Sequence, residues 1–363
     1  MSDFDYGNAR LRAMKSRLLS RRTLDGLAEV GSVQGLITAL TNTAYRQTIQ
    51  AALVRLTGME CLAEALRNDL VATVGQARTF YSGPAGDLVT LVLRRYDLHN
   101  VKTVLRGLAR HVPVNEILAN TLPVGELRPA DLGELARAAS VRPAIDLMAT
   151  WRLPLAQPLL ELRAAERGRN GGVELLEMEV ALDRWHYRTA MAAAGKTDTV
   201  LGEALALEAD AANIVTALRL IGVSDAATIL RERFGSDNAT PLFVGPGRVP
   251  LALLAEMARQ ESISTAVNML AETPFGATCA GVMDAYAASP RLSVFEHALA
   301  RQQLRYAAGL IVRDPLGIGV LLGYVALKTN EVANIRAIAH GLTLAEKPVR
   351  IRAELMFLET DLK

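Results

Sequence analysis

The sequence predicts an all-α protein built from three homologous helical modules. Three observations carry that prediction. Aromatic residues make up only 5% of the chain, while the strong helix formers Ala, Leu and Arg are abundant. Apolar residues recur at i, i+3, i+4 and i+7, which is one face of a helix. One polar signature also occurs three times at near-constant spacing, the mark of repeated helical units.

Each module reads the same way from its start. The first half is a helical pattern seen in "GLAEVGSVQGLITALTN" from Gly26, "ELARAASVRPAIDLMAT" from Glu134 and "EMARQESISTAVNMLAE" from Glu256. Its shared columns include Leu27, Leu135 and Met257, and Ser32, Ser140 and Ser262. A second shared helix contains Ala65-Leu66, Ala181-Leu182 and Ala298-Leu299. The last helix carries the signature: an acid, then Asn, then a base. It reads "DLHNVKTVLR" with Asp97, Asn100 and Arg106, "DAANIVTALR" with Asp210, Asn213 and Arg219, and "EVANIRAIAH" with Glu331 and Asn334. The modules are drawn as 1–113, 114–228 and 229–345, with a charged tail at 346–363. Three such copies can stack in a row or surround a pseudo-threefold axis.

On a helical wheel of about 100° per residue, Asp97 falls inside the apolar stripe, Asn100 at its edge and Arg106 on the far side. A carboxylate in a core position is costly unless hydrogen-bonded or paired. The acid and Asn of each module are therefore expected to cap or brace a neighbouring helix. A catalytic role would need a second converging group and a pocket.

The stretch "MAAAGKTDTVLGEA" resembles the end of a phosphate-binding loop. Position 190 is Ala where that loop needs Gly, and the preceding residues are helical, not a strand. In the threefold alignment it matches "SGPAGD" and "RDPLG", both turns. It is expected to be a corner at which Gly195 ends one helix and Asp198 caps the next. Gly317, Gly319 and Gly323 have the wrong spacing for a dinucleotide fingerprint.

The remaining signals exclude more than they assign. The five histidines show no HxxxH or HExxH spacing, and Cys61 and Cys279 form no CxxC, so no metal, cofactor or catalytic residue is assigned. The net charge of +2 and the lack of stacking platforms give no nucleic-acid footprint. No signal peptide is expected at the N-terminus, and the longest apolar run, 316–327, falls short of the ~20 residues a membrane span needs. Contact with a membrane is expected to be peripheral. One charge cluster stands out: Arg10, Arg12, Lys15, Arg17, Arg21 and Arg22, with no acid among them. It reads as a basic amphipathic helix, either a solvated face or a surface for anionic headgroups or an acidic partner.

With the repeats in hand, the chain resembles the C subunit of V- and A-type rotary ATPases, the counterpart of the eukaryotic d subunit. The residues that carry the resemblance are "YGNARLRAMKSRLL" from Tyr6, "YDLHNVKTVLRG" from Tyr96 and "LGYVALKTNEVANIRAIAHG" from Leu322, with Lys328, Glu331 and Asn334. The resemblance implies a funnel-shaped, non-catalytic rotor component on the cytoplasmic side of the membrane. Its partners would be the central-shaft subunits and the membrane rotor ring of proteolipid subunits. The Gly/Pro-rich stretch 235–250 departs from the family pattern and reads as an insertion. The rival reading is a generic α-helical repeat scaffold that binds other proteins.

Overall fold

The computed structural model describes residues 4–165 and 174–358. Among these residues there are twenty α-helices and no strand, so the all-α expectation holds. A lead helix, α1 (Asp5–Lys15), precedes a recurring order. Three short helices come first: α2 (Arg21–Leu27), α3 (Val33–Leu40) and α4 (Arg46–Leu53). Two long ones follow, α5 (Gly58–Arg78) and α6 (Gly83–Ala109), and then the short α7 (Val114–Ala119). The order returns as α8 (Pro129–Ala136), α9 (Val141–Thr150), α10 (Ala156–Ala165), the long α11 (Leu175–Thr197) and α12 (Thr199–Leu220), and α13 (Ala226–Phe234). It returns once more as α14 (Leu251–Met257), α15 (Ile263–Asn268), α16 (Gly276–Ala280), an added α17 (Met283–Ala288), the long α18 (Ser293–Arg313) and α19 (Gly319–Thr343), and α20 (Pro348–Glu354).

Local chemistry sets many of these starts. Ser32 Oγ accepts from Gly35 N–H at 3.0 Å and Ser262 Oγ from Thr265 N–H at 3.1 Å. Each satisfies a donor that a helix N-terminus otherwise leaves orphaned. Ser140 occupies the same position without a side-chain bond. At the GKT corner, α11 runs through Gly195 to Thr197, so Gly195 does not end the helix as expected. The reversal falls at Asp198, whose carboxylate caps α12 by accepting Leu201 N–H at 2.9 Å. A phosphate loop needs backbone N–H groups turned outward, whereas here the backbone around Gly195 is committed to helix. The side chain of Lys196 lies outside the described part.

The chain forms two compact units. One gathers Met1–Asp97, Leu122–Arg128 and Leu304–Lys363, and the other Leu98–Thr121 and Pro129–Gln303. In the first, α1, α2, α3, α5 and α20 all pack on α19. Helix α19 is consequently buried all round from Gly319 to Val325 and on most of its surface through Val332, Ile335 and Ile338, with the line of Thr329, Ala333, Arg336 and His340 exposed. That accounts for the apolar run at 316–327: a helix apolar all round belongs in a core. Among the described residues no helix is long and apolar enough to cross a membrane. In the second unit, α12 packs on α11 and α14, and α10 on α9 and α11. Leu182, Leu201, Ile214, Ala217, Leu254 and Met257 supply part of that core.

Candidate functional site

The signature acids sit where the wheel places them, buried, and each holds a connecting segment. Asp97 accepts the N–H groups of Glu126 at 2.8 Å and Leu127 at 3.0 Å, just before α8. Asp210 accepts those of Arg248 at 2.8 Å and Val249 at 3.1 Å, just before α14. The close approach needs glycine. A Cβ on Gly125 would lie 2.2 Å from Asp97 Oδ2, and one on Gly247 would lie 2.1 Å from Asp210 Oδ1. Asn213 adds a second clasp: its Oδ1 accepts Val244 N–H at 2.9 Å and its Nδ2 donates to the Gly245 carbonyl at 2.8 Å. Burial raises the carboxyls of Asp97 and Asp210, and the backbone N–H bonds pull the other way. What the acid and Asn grip is a connection between helices, not a neighbouring helix end. The stretch 235–250 is correspondingly no loose insertion, because it contains the segment that Asp210 and Asn213 hold. Asn100 is fully buried on α6.

The third copy diverges. Asn334 keeps the clasp, with Oδ1 accepting Met356 N–H at 2.9 Å and Nδ2 donating to the Met356 carbonyl at 3.0 Å. Glu331, one methylene longer than Asp, accepts the N–H of Leu19 and the Tyr45 hydroxyl, the latter at 2.7 Å. Lys328 lies between two buried carboxylates: its Nζ is 2.7 Å from Asp69 Oδ2 and 2.8 Å from Glu331 Oε1. It also donates to Tyr45 Oη at 2.9 Å and lies 4.3 Å from that ring's centroid. One cation shared by two carboxylates leaves a deficit of positive charge. Burial, reinforced by Glu331, pushes the Asp69 carboxyl up against the opposing pull of Lys328. Burial and the same carboxylates push the Tyr45 phenol far up. The cluster resembles an acid–base site in composition, yet its polar atoms point at one another. The cleft beside Glu331 holds about 150 Å³, below the ~300–1,000 Å³ of an ordinary ligand pocket.

The signature bases face outward and make ion pairs. Arg106 on α6 meets Glu179 on α11 at 2.5 Å, and Arg219 on α12 meets Glu296 on α18 at 2.7 Å. Lys102 reinforces the first junction through Asp183 at 2.7 Å. In the third copy the position of Arg106 and Arg219 is His340, and in the first copy the position of Glu179 and Glu296 is Ala63.

The basic cluster is not one helix. Helix α1 ends at Lys15, a turn follows, and Arg21 begins α2. Ser20 caps the new start, its hydroxyl accepting Thr23 N–H at 3.2 Å, so the helix is interrupted inside the cluster. Arg10, Arg12, Lys15, Arg17 and Arg22 are exposed and Arg21 is half-buried. Cys61 and Cys279 are buried, and burial raises both thiols, Cys279 to about 11, which suppresses the nucleophilic thiolate.

Sequence reasoning missed Tyr45, Asp69, Gly125, Gly247 and the acidic partners Glu179, Asp183 and Glu296. The two glycines carried a signal: "GEL" before Arg128-Pro129 and "GRV" before Pro250 occupy matching places in two modules. Tyr45 and Asp69 carried none, since their partner lies near the far end of the chain.

The fold and these polar clasps define an all-helical protein whose buried charges hold helices and their connections together. The chain belongs to the ATP synthase (C/AC39) subunit family, whose model matches residues 7–354. It is 29% identical over 347 residues to the C subunit of an A-type ATP synthase from Methanosarcina acetivorans, covering 94% of this chain and 89% of that one. It is 28% identical over 363 residues to the C subunit of an A-type ATP synthase from Halobacterium salinarum, covering 98% of each. The C subunit of a V-type ATP synthase from Deinococcus radiodurans is 28% identical over 341 residues, 93% of this chain and 87% of the relative.

Proposed function

We propose that this chain is a non-catalytic central-stalk subunit of a rotary ATPase or ATP synthase. It acts as a socket that receives the central shaft and rests on the membrane rotor ring of proteolipid subunits, at the cytoplasmic face. The observation that carries this reading is the family match from residue 7 to residue 354, which runs through nearly the whole chain.

Three features support it. Modules 1–113, 114–228 and 229–345 share one helix order, and on this reading they surround a pseudo-threefold axis. A funnel built in that way would be a shape a shaft can enter. Torque transmission needs stiffness, and close-packed helices with clasped connections resist deformation. The exposed cations from Arg10 to Arg22 provide a side suited to the ring and the headgroups around it, while 346–358 completes the third module through Met356.

Co-elution of the purified chain with shaft subunits tests the socket. A stable complex at low salt is expected, and repeated failure to co-elute would count decisively against it. The rival scaffold reading predicts partner binding with no association with the rotor ring. The isolated chain is further expected to bind no ATP. ATP binding abolished by Lys196→Ala would overturn the non-catalytic assignment.

A further inference from the structure

Three segments far apart in sequence meet within the first compact unit: α1, the corner between α5 and α6 at 79–82, and the corner between α18 and α19 at 314–318. The seam is tightly made. Tyr81 donates its hydroxyl to Asn8 Oδ1 at 2.8 Å, and Asn8 Nδ2 donates to the Gly317 carbonyl at 3.0 Å. Arg12 donates to the Pro315 carbonyl at 2.7 Å. Tyr6 meets Phe80 edge-on with centroids 6.4 Å apart, and the Arg10 guanidinium lies 5.2 Å from the same ring. Helix α1 thus straps the two corners together and carries its cations to them.

Apolar side chains stand out at this seam. Tyr6 is 62% exposed, Leu316 63% and Val312 80%. Beside them in the chain lie the exposed cations Arg10, Arg12, Lys15, Arg17 and Arg313. No acid falls between Asp5 and Asp25. Among the described residues, the acids beside the seam in the chain are Asp5, Asp87 and Asp314, of which Asp314 is occupied in accepting Gly319 N–H at 2.7 Å, and Glu331 lines the cleft that Lys15 also lines. The seam therefore offers protruding apolar tips within a basic field.

We propose that this surface docks on the headgroup layer of an anionic lipid bilayer. The two chemistries present together decide the partner. An acidic protein loop would satisfy the arginines and leave Tyr6, Leu316 and Val312 in water. A purely apolar partner would desolvate the cations without compensation. A bilayer interface matches both: anionic headgroups attract the cations, and short apolar tips enter the acyl boundary without any span. The long Arg stems can lie along the surface with their heads among phosphates. The inference rests on the reading that the protein works at a membrane face. It adds that the subunit itself holds lipid.

Co-flotation of the full chain with vesicles tests it. Binding is expected to vesicles of phosphatidylcholine with phosphatidylglycerol, to weaken with added salt, and to be absent on phosphatidylcholine alone. Replacing Arg10, Lys15 and Arg17 together with Gln should weaken binding on the order of a hundredfold, at about fivefold per charge. Leu316→Ser in the native chain should weaken it several-fold with the charges intact. Lys15, Arg17 and Leu316 are exposed and Arg10 gives up only its stacking on Phe80, so thermal melting should shift little. No flotation with anionic vesicles at low salt, equal binding to neutral vesicles, or undiminished binding by the triple variant would each overturn the proposal. Co-elution with shaft subunits uses no lipid, so failure of the socket reading shows there, and failure of this inference shows only on vesicles.

Discussion

Asn213 is the most completely used polar side chain on α12. It is fully buried and commits both amide atoms to one segment, at Val244 and Gly245. Asn213→Leu would leave that N–H and that carbonyl without their partner, at about 1–3 kcal/mol for a buried unsatisfied group. An unfolding free energy lowered by that amount is expected, with the denaturation midpoint falling accordingly, and an unchanged midpoint would sink the clasp. Lys328→Met would be worse. It leaves Asp69 and Glu331 facing each other in the core with no cation, a loss of roughly 3–5 kcal/mol. Asp69 also sets a pH dependence. Its carboxyl is raised from the ordinary 3.8 in the folded state, by burial first. The folded protein therefore binds that proton more tightly than the unfolded chain. The contribution is complete below 3.8 and is lost as pH rises through the folded value. Asp97, Asp183 and Asp210 are raised in the same sense. Denaturation midpoints should fall as pH climbs from 3.8 upward, and Asp69→Asn should flatten the slope. An equal slope in that variant would refute the assignment to Asp69.

The three long helix pairs were legible in the sequence because each is written in repeated side chains: Ala65-Leu66 and its copies, and the acid–Asn signature. Ser32 and Ser262 were visible as a shared column, and the structure gives that column its capping role. What the acids hold was not legible, because the partners are backbone N–H groups of Glu126, Leu127, Arg248 and Val249, and a backbone donor leaves no letter. The break at 16–20 was hidden because Leu18 and Leu19 continue the apolar pattern of α1 while the helix ends at Lys15. The cluster of Tyr45, Asp69 and Lys328 was hidden because it joins α5 and α19 with the residue just before α4, elements no spacing rule connects. The connecting segments themselves make a prediction. Gly247→Ala would force a Cβ onto Asp210, so either the segment lifts or the carboxylate turns away, and overpacking of this kind costs about 1–3 kcal/mol. Hydrogen exchange at Arg248 and Val249 should accelerate in that variant while α11 keeps its protection. Unaltered exchange at both amides would show that the clasp tolerates the methyl group.

The first compact unit is assembled from the two parts of the chain furthest apart. Helices α1, α2, α3 and α5 bury their apolar faces on α19, whose residues follow them by several hundred positions. The second unit is built mostly from a continuous middle stretch. Contacts of such sequence separation are entropically costly to form, and they stabilise only after the intervening chain has been ordered. The middle stretch has no such requirement, since α10 packs on α9, α11 on α10 and α12 on α11. The two units should therefore separate when the C-terminal partner is removed. A chain truncated after residue 303 lacks α19 and α20 and leaves the inner faces of α3 and α5, with Leu36, Ile37, Leu66 and Leu70, without a core. Hydrogen exchange should show protection lost across α1 to α5 and retained in α11 and α12. The truncated form should also bind a hydrophobic dye where the full chain does not. Protection persisting in α5 would mean that the first helices hold themselves together, and that α19 is an addition to that core and not its centre.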